Sequence, residues 1–300
     1  MRGYISAYID YLRYERHFSA HTLVAYTTDL AQFASFVEDI ERSDGDTLLP
    51  EQIDADIVRG WMMAMMRRSL ASSSVNRKLS ALQSFFKYLI RQGVVRVHPF
   101  STVSGPKKPK ALPYFIQDKE MNRLLEEEDF GDGFEGARNR LIIEMFYETG
   151  IRCSELVGIQ NADVDTDAML LKVTGKRNKQ RFVPFAERLK DMIDYYINVR
   201  AREVASDSTS FFLRTDGRPV TSAIVYYAVK KKLSNIPTLS KRSPHVLRHT
   251  FATSMLNDGA ELSAIRNLLG HSSLASTSVY THVTFEELKK VYNAHPRAKN

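Results

Sequence analysis

Between Ser243 and Val283 the chain must form three short helices in quick succession, and that restricts the folds open to it. Ser243 offers an N-cap oxygen, and Pro244 suits the first helical position, where its missing N–H costs nothing. Leu247, Phe251 and Met255 recur every four residues and predict one buried face. His245 and Arg248 are three apart, so they share another face and can point at one object. Gly259 closes this helix. Leu262, Ile265 and Leu269 mark the second, with Gly270 just past its end. A third begins near Ser273 or Ser276 and carries Tyr280. Two imzidazole side chains (His245 and His271), one guanidinium and one phenol therefore share a compact helical unit.

These groups suit one chemistry when taken together. A guanidinium grips a phosphate oxygen through parallel hydrogen bonds. Imidazoles donate hydrogen bonds or move protons near neutral pH. A phenol becomes a nucleophile once its proton leaves and its attack is held in line. The set fits phosphoryl transfer to a tyrosine without a metal. Taken singly, each residue has a plainer explanation: a tyrosine on an amphipathic helix is usually a core or rim residue, and His-x-x-Arg a solvated or capping pair. His245 and His249 also form HxxxH, a spacing that can bind zinc. The Glu of HExxH is replaced by Val246 and there is no cysteine cluster, which makes zinc the minor alternative.

The 300 residues suffice for two ordinary domains, and a hydrophobic content of 43% excludes global disorder. The formal net charge of +7 permits nucleic acid or another acidic partner without deciding between them. A single cysteine, Cys153, rules out an intrachain disulfide and fits a reducing cytoplasm. Charges interrupt every long apolar run, so neither a signal peptide nor a membrane span is expected.

The first hundred residues read as four helices. The first covers about 2–18. The second follows the N-cap Ser19, with Leu23, Leu30, Phe33 and Val37 on its stripe. The third covers 55–68 with Ile57, Trp61 and Met65 buried. The fourth is capped by Ser72–Ser74, has the stripe Val75, Leu79, Leu82, Phe86 and Leu89, and stops at Gly93. Its other surface offers Asn76, Arg77, Lys78, Lys87 and Arg91, which suits a DNA groove and its phosphates; alone, such a face is more often merely solvated. Residues 104–113, SGPKKPKALP, cannot continue a helix and form a linker. Its Lys107 and Lys108 could lie along a phosphate backbone.

The second half begins near residue 114. An apolar helix over 136–149 runs into Gly150; Arg152 emerges at the turn, and Ser154 caps the next helix. A cation on such a connection can be held rigidly and aimed inward. Strands 169–174 and 181–185 flank the basic turn Gly175–Gln180, whose Lys176, Arg177 and Lys179 can reach a groove. A helix over 186–203, a short strand 210–214 and a helix capped by Thr221 and ending in Lys230–Lys232 complete the pattern. A last apolar helix covers 285–292.

His245-x-x-Arg248, then Leu268-Leu269-Gly270-His271-Ser272-Ser273, then Tyr280-Thr281-His282-Val283 strongly resemble the C-terminal motif of the tyrosine site-specific recombinases, the Xer branch in particular. The ending His295-Pro296-Arg297-Ala298 and the segments SAHTLVAYTTDLAQFASF and SVNRKLSALQSFFKYLIRQG are also similar to Xer proteins. TGIRCSELVGI resembles the family's first-arginine motif and VTGKRNKQRFVPF its hairpin. The resemblance spans roughly residues 4–298. Ser254 departs from a common His, and Glu261-Leu262 from a common Asp-Leu, neither at a catalytic position.

The resemblance implies a mainly α fold with a small β-sheet in the C-terminal domain, arranged as a two-domain, C-shaped DNA clamp. Residues 1–103 would be a SAM-like helical DNA-binding domain, 104–113 the linker, and 114–300 a mixed α/β catalytic domain with a tail helix that docks on a neighbouring protomer. It implies Arg152 and Arg248 as phosphate ligands, Glu155 as their support, and His245 and His271 as hydrogen-bond donors. Lys176 is the leaving-group acid, with Lys179 its nearest rival, and Tyr280 the nucleophile. No cofactor is needed. Expected partners are double-stranded DNA at a specific site, a homo- or hetero-tetramer that could include a Xer paralogue, and a DNA translocase activator of the FtsK type. The expected setting is cytoplasmic and nucleoid-associated, with chromosome-dimer resolution as the role. Mobile-element integration and non-catalytic DNA binding are the alternatives, and a type IB topoisomerase shares the chemistry.

Overall fold

The computed structural model describes residues 1–44, 49–107, 115–175, 178–270, 292 and 295–296. They divide into two units, Met1–Ala111 and Leu112–Asn300, each with its own apolar core. In the first, α1 (Arg2–Asp10), α2 (Ala20–Asp44), α3 (Ala55–Arg67) and α4 (Ser72–Arg91) bury Tyr8, Leu30, Phe33, Val58, Trp61, Val75, Leu82 and Phe86. The expected continuous first helix instead changes at Tyr11–Glu15 to a wider π-type turn and stops there, with Arg16 as its cap and His17 beyond at φ +49°. Ser19 does cap α2: its hydroxyl accepts the Thr22 N–H at 3.3 Å. Asp54 caps α3 through the amides of Asp56 and Ile57, and Ile57 itself is only half-buried. Helix α4 carries the predicted stripe, every member of it buried, but it starts at Ser72, so the serines lie in its first turn rather than before it.

The second unit is built around α6 (Gly133–Thr149), which follows α5 (Asp118–Glu126). Every residue of α6 from Leu141 to Thr149 is buried, as suits a helix that neighbours surround on all sides. Gly150 ends it in the left-handed region at φ +59°. Then come α7 (Cys153–Val157), the antiparallel sheet β1 (Val164–Asp165), β2 (Leu170–Thr174) and β3 (Gln180–Pro184), and four helices: α8 (Glu187–Glu203), α9 (Ser222–Leu233), α10 (Pro244–Asn257) and α11 (Leu262–Leu268). In the β2–β3 register Leu171 faces Val183 and Val173 faces Arg181.

Three expectations need correction here. Residues 210–214 make only isolated bridges, Gln160 to Ser210 and Leu213 to Pro219, while Phe211 and Phe212 serve the core. Ser154 is not the α7 cap; the helix starts one residue earlier and Arg152 holds the cap position. Ser243 takes the N-cap position of α10 without a side-chain capping bond, and Pro244 fills the first turn as expected. Among the described residues, no helix is long and apolar enough to cross a membrane.

Residues 285–291 of the expected tail helix over 285–292 lie outside the described residues. Tyr292, the last residue of that expected helix, and His295 are buried in the second unit of the same chain. The Tyr292 hydroxyl donates to Glu148 Oε2 at 3.1 Å, and the His295 ring stacks on Phe251 at 5.4 Å between centroids.

Candidate active site

Gly150 has no side chain, and the site depends on that. A Cβ there would collide with Phe251 and stand 2.9 Å from Leu269 Cδ2, so only glycine lets α6 end this close to α10 and α11. Its carbonyl accepts a hydrogen bond from Arg248 Nη1. Two residues on, Arg152 leaves the turn. Its backbone N–H donates to Glu155 Oε2 at 2.8 Å and its Nη1 to Glu155 Oε1 at 2.7 Å. Glu155 thus caps the start of α7 while holding the arginine that precedes it.

Arg248, on α10, is 8% exposed. Its Nη2 donates to the Leu269 carbonyl at 2.7 Å. Arg152 Nη2 reaches the Gly270 carbonyl at 3.3 Å. A third guanidinium completes the cluster: Arg181, on β3, donates to both oxygens of Glu155 at 2.8 and 3.0 Å and, through Nε, to the Leu268 carbonyl at 2.8 Å. Two of the three arginines, Arg152 and Arg181, hold the one carboxylate, and Arg248 is fixed by backbone carbonyls, leaving a net excess of two positive charges.

Burial and the neighbouring charges both bear on the protonation of these groups. Burial first, then repulsion from Arg152, brings Arg248 down to about 10; Glu155 works in the opposite sense and Arg181 adds to the lowering. Arg248 still carries its proton at neutral pH. Burial pushes the Glu155 carboxyl up, but hydrogen bonds and charge from Arg181, together with the Arg152 contacts, outweigh it and hold the group at about 2. An incoming phosphate would relieve the repulsion among the guanidiniums, which is what a phosphate site needs.

Of the predicted catalytic residues, the structure brings Arg152 and Arg248 together around the Gly150 turn. His245 is exposed at the start of α10 and does not share Arg248's buried environment. Lys176, His271 and Tyr280 lie outside the described residues, as do Arg177 and Lys108. Gly270, the residue before His271, is described, at φ +66°. Among the described residues, no third metal-ligating side chain joins His245 and His249.

The basic positions divide. Lys87, Arg91, Lys107 and Lys179 are exposed. Arg77 is half-exposed and paired with Asp29. Lys78 requires correction: it is 7% exposed, and its ammonium is committed to Asp29 Oδ1 at 2.8 Å and Gln32 Oε1 at 2.7 Å, so it is an internal ion pair rather than an open cation. Its sequence position already signals this, three after Val75 and four before Leu82, on the buried stripe. Arg181 carries a similar signal that the sequence reading missed: the alternation that exposes Phe182 turns Arg181 inward beside Val183. A cleft of about 600 Å³ lined by Arg138, Arg214, Tyr227 and Lys231 contains none of the arginine cluster.

A model of the phage integrase family matches residues 114–287, and one of the phage integrase N-terminal SAM-like domain matches residues 5–93. The chain belongs to the phage integrase family. It is 38% identical to tyrosine recombinase XerC of Staphylococcus carnosus over 294 residues, covering 98% of this chain and 97% of the relative. To XerC of Staphylococcus saprophyticus it is 40% identical over 294 residues, with the same coverage. Among solved structures it resembles XerH site-specific recombinase bound to palindromic difH substrate in a post-cleavage complex, with a TM-score of 0.73 and 21% identity over 93% of this chain and 81% of that one. It also resembles the Tn1549 transposon integrase in complex with transposon right-end DNA, with a TM-score of 0.70 and 20% identity over 96% and 97%. At those identities the structural likeness is one of fold. This member of the integrase family is a tyrosine recombinase of the Xer type, an enzyme that cleaves and rejoins DNA. Its architecture is the expected one, mainly α with a small three-stranded sheet.

Proposed function

We propose that the chain recombines a specific chromosomal site and thereby resolves chromosome dimers, and that the arginine cluster receives the scissile phosphate. The observation that carries the reading is the convergence of Arg152 and Arg248 on the carbonyls of Leu269, Gly270 and Gly150, immediately before His271. The two guanidiniums neutralise the non-bridging oxygens, most strongly as charge builds in the transition state. His245 and His271 add hydrogen bonds and help move protons. The Tyr280 oxygen attacks phosphorus, loses its proton, and forms a 3′-phosphotyrosyl bond as the bond to the 5′-oxygen breaks. Lys176 protonates that oxygen, with Lys179 on the same hairpin as its rival. The covalent link conserves the bond energy, so a 5′-hydroxyl from the partner duplex reverses the step without ATP.

Paired exchanges through a Holliday junction call for four protomers on two duplexes. A Xer paralogue in that tetramer, activation by a translocase of the FtsK type, and a nucleoid-associated cytoplasmic setting complete the proposal. The exposed Lys87, Arg91, Lys107 and Lys179, with Arg77, would contact phosphates; Lys108 and Arg177 are proposed with them from sequence alone.

The test is to trap the protein covalently on DNA in its own cells and sequence the attached fragments, with Tyr280→Phe as control. One tyrosine-dependent site in the replication terminus is the expected result. Sites at the ends of a mobile element would make it an integrase, and scattered adducts a topoisomerase. Loss of no adducts in Tyr280→Phe would remove Tyr280 as nucleophile.

A further inference from the structure

Helix α11 ends on three consecutive carbonyls, and each goes to a different guanidinium: Leu268 to Arg181 at 2.8 Å, Leu269 to Arg248 at 2.7 Å and Gly270 to Arg152 at 3.3 Å. The carbonyl end of a helix carries partial negative charge, so these are charge-assisted bonds. Arg152 and Arg248 have a part in the chemistry proposed above; Arg181 has none so far. Its side chain is only 9% exposed and comes from the inward face of β3. Its fork spans both oxygens of Glu155 while Nε holds Leu268, so three bonds fix one guanidinium plane. The turn is built around that plane: a Cβ on Gly270 would stand 3.1 Å from Arg181 Nη1.

We infer that Arg181 is a positioning residue for strand cleavage: by clamping Glu155 and the Leu268 carbonyl, it holds Arg152 and the turn leading to His271 in the arrangement that receives the phosphate. Two physical effects are joined in it. Glu155 carries a full buried negative charge, and if Arg152 alone had to balance it, little positive charge would remain for substrate. Arg181 supplies the second cation, so Arg152 keeps its own for the phosphate. The same side chain ties the hairpin strand to the end of α11, so the two parts of the site keep their register. Lysine, a point charge without a fork, cannot make the three contacts together.

The inference rests on the phosphate site proposed above, and the test separates the two. Wild type, Arg181→Lys and Arg181→Gln are assayed for covalent adduct formation on the duplex recovered by trapping. One substrate carries the ordinary phosphodiester, and the other a methylphosphonate at the scissile position, which removes the charge the guanidiniums neutralise. Duplex binding is measured alongside. On the phosphodiester, Arg181→Lys is expected to cleave at least about thirtyfold more slowly than wild type, with binding within about twofold. On the neutral substrate the gap between the two is expected to fall below about threefold. Equal gaps on both substrates would mean that Arg181 only supports the fold, and an unchanged rate on the phosphodiester would remove the role altogether. Arg181→Lys retains the charge and so remains informative if Arg181→Gln does not fold. Failure of wild type to form a Tyr280 adduct would instead overturn the proposed site itself, and the role of Arg181 with it.

Discussion

Glu155 has a side chain 1% exposed, yet it is ionised, because two guanidiniums reach it. Burial alone would raise its carboxyl; Arg181 and Arg152 bring it down to about 2, from an ordinary 4.5. The group is therefore depressed in the folded state. Its contribution is present above the unfolded value, near 4.5, and is lost as pH falls from there towards 2. The shift corresponds to about 3 kcal/mol at neutral pH. Glu155→Gln keeps the shape and removes the charge. It is expected to lower the stability of the catalytic unit by about that amount at pH 7, with a smaller difference at pH 3. Urea unfolding followed by circular dichroism at both pH values measures this; the single tryptophan, Trp61, is in the other unit and would report on the wrong core. A difference that does not narrow on acidification would contradict the assignment.

Helix α4 shows how one element divides its basic residues between two tasks. Lys78 and Arg77 close on Asp29, which is 1% exposed and 49 residues from Lys78, whereas Lys87 and Arg91 face outward. Lys78→Met is expected to destabilise the first unit by about 2 kcal/mol, since Arg77 still balances Asp29, and to leave the salt dependence of DNA binding unchanged. Lys87→Ala should do the opposite: little loss of stability, and a salt slope smaller by about one. Melting curves and titrations at several salt concentrations distinguish them, and a weaker salt slope in Lys78→Met would return that lysine to the interface. The contrast also shows what could be read in advance. The stripe of α4, the Ser19 cap, the Gly150 stop, and the strands flanking residues 175–179 follow from local spacing and capping chemistry. The π-type turn at Tyr11–Glu15 has no such signature. Nor do long-range partners: Lys78 needs Asp29, and Arg181 takes its meaning only once β3 is paired with β2 and Glu155 is brought beside it. Arg152 and Arg248 were legible because a motif marks them; Arg181 sits among ordinary strand residues.

The largest scale concerns the chain's last residues. Tyr292 and His295 pack against α6 and α10 of their own unit, through Glu148, Tyr147 and Phe251. Glu148 is two residues before Gly150, and Phe251 three after Arg248, so the tail's anchor borders α10, which carries Arg248, and the end of α6, after which the chain turns to Arg152. A tail that also served a neighbouring protomer would link assembly to the site through those helices, and two variants separate that link from simple core packing. Tyr292→Phe removes only the hydroxyl bond to a buried carboxylate and is expected to cost about 1–3 kcal/mol, read as a lower melting temperature of the catalytic unit, with complexes of four protomers on two duplexes still forming. Deleting residues 285–300 removes the anchor and everything before it back to residue 285; complexes of that size should then fall at least about tenfold at concentrations where single-duplex binding persists, beyond the about 1.4 kcal/mol that a tenfold change represents. Mass photometry of the synapsed complexes gives the populations directly. If the deletion lowers the melting temperature but leaves those populations unchanged, the tail serves its own core alone and assembly is driven from elsewhere on the chain.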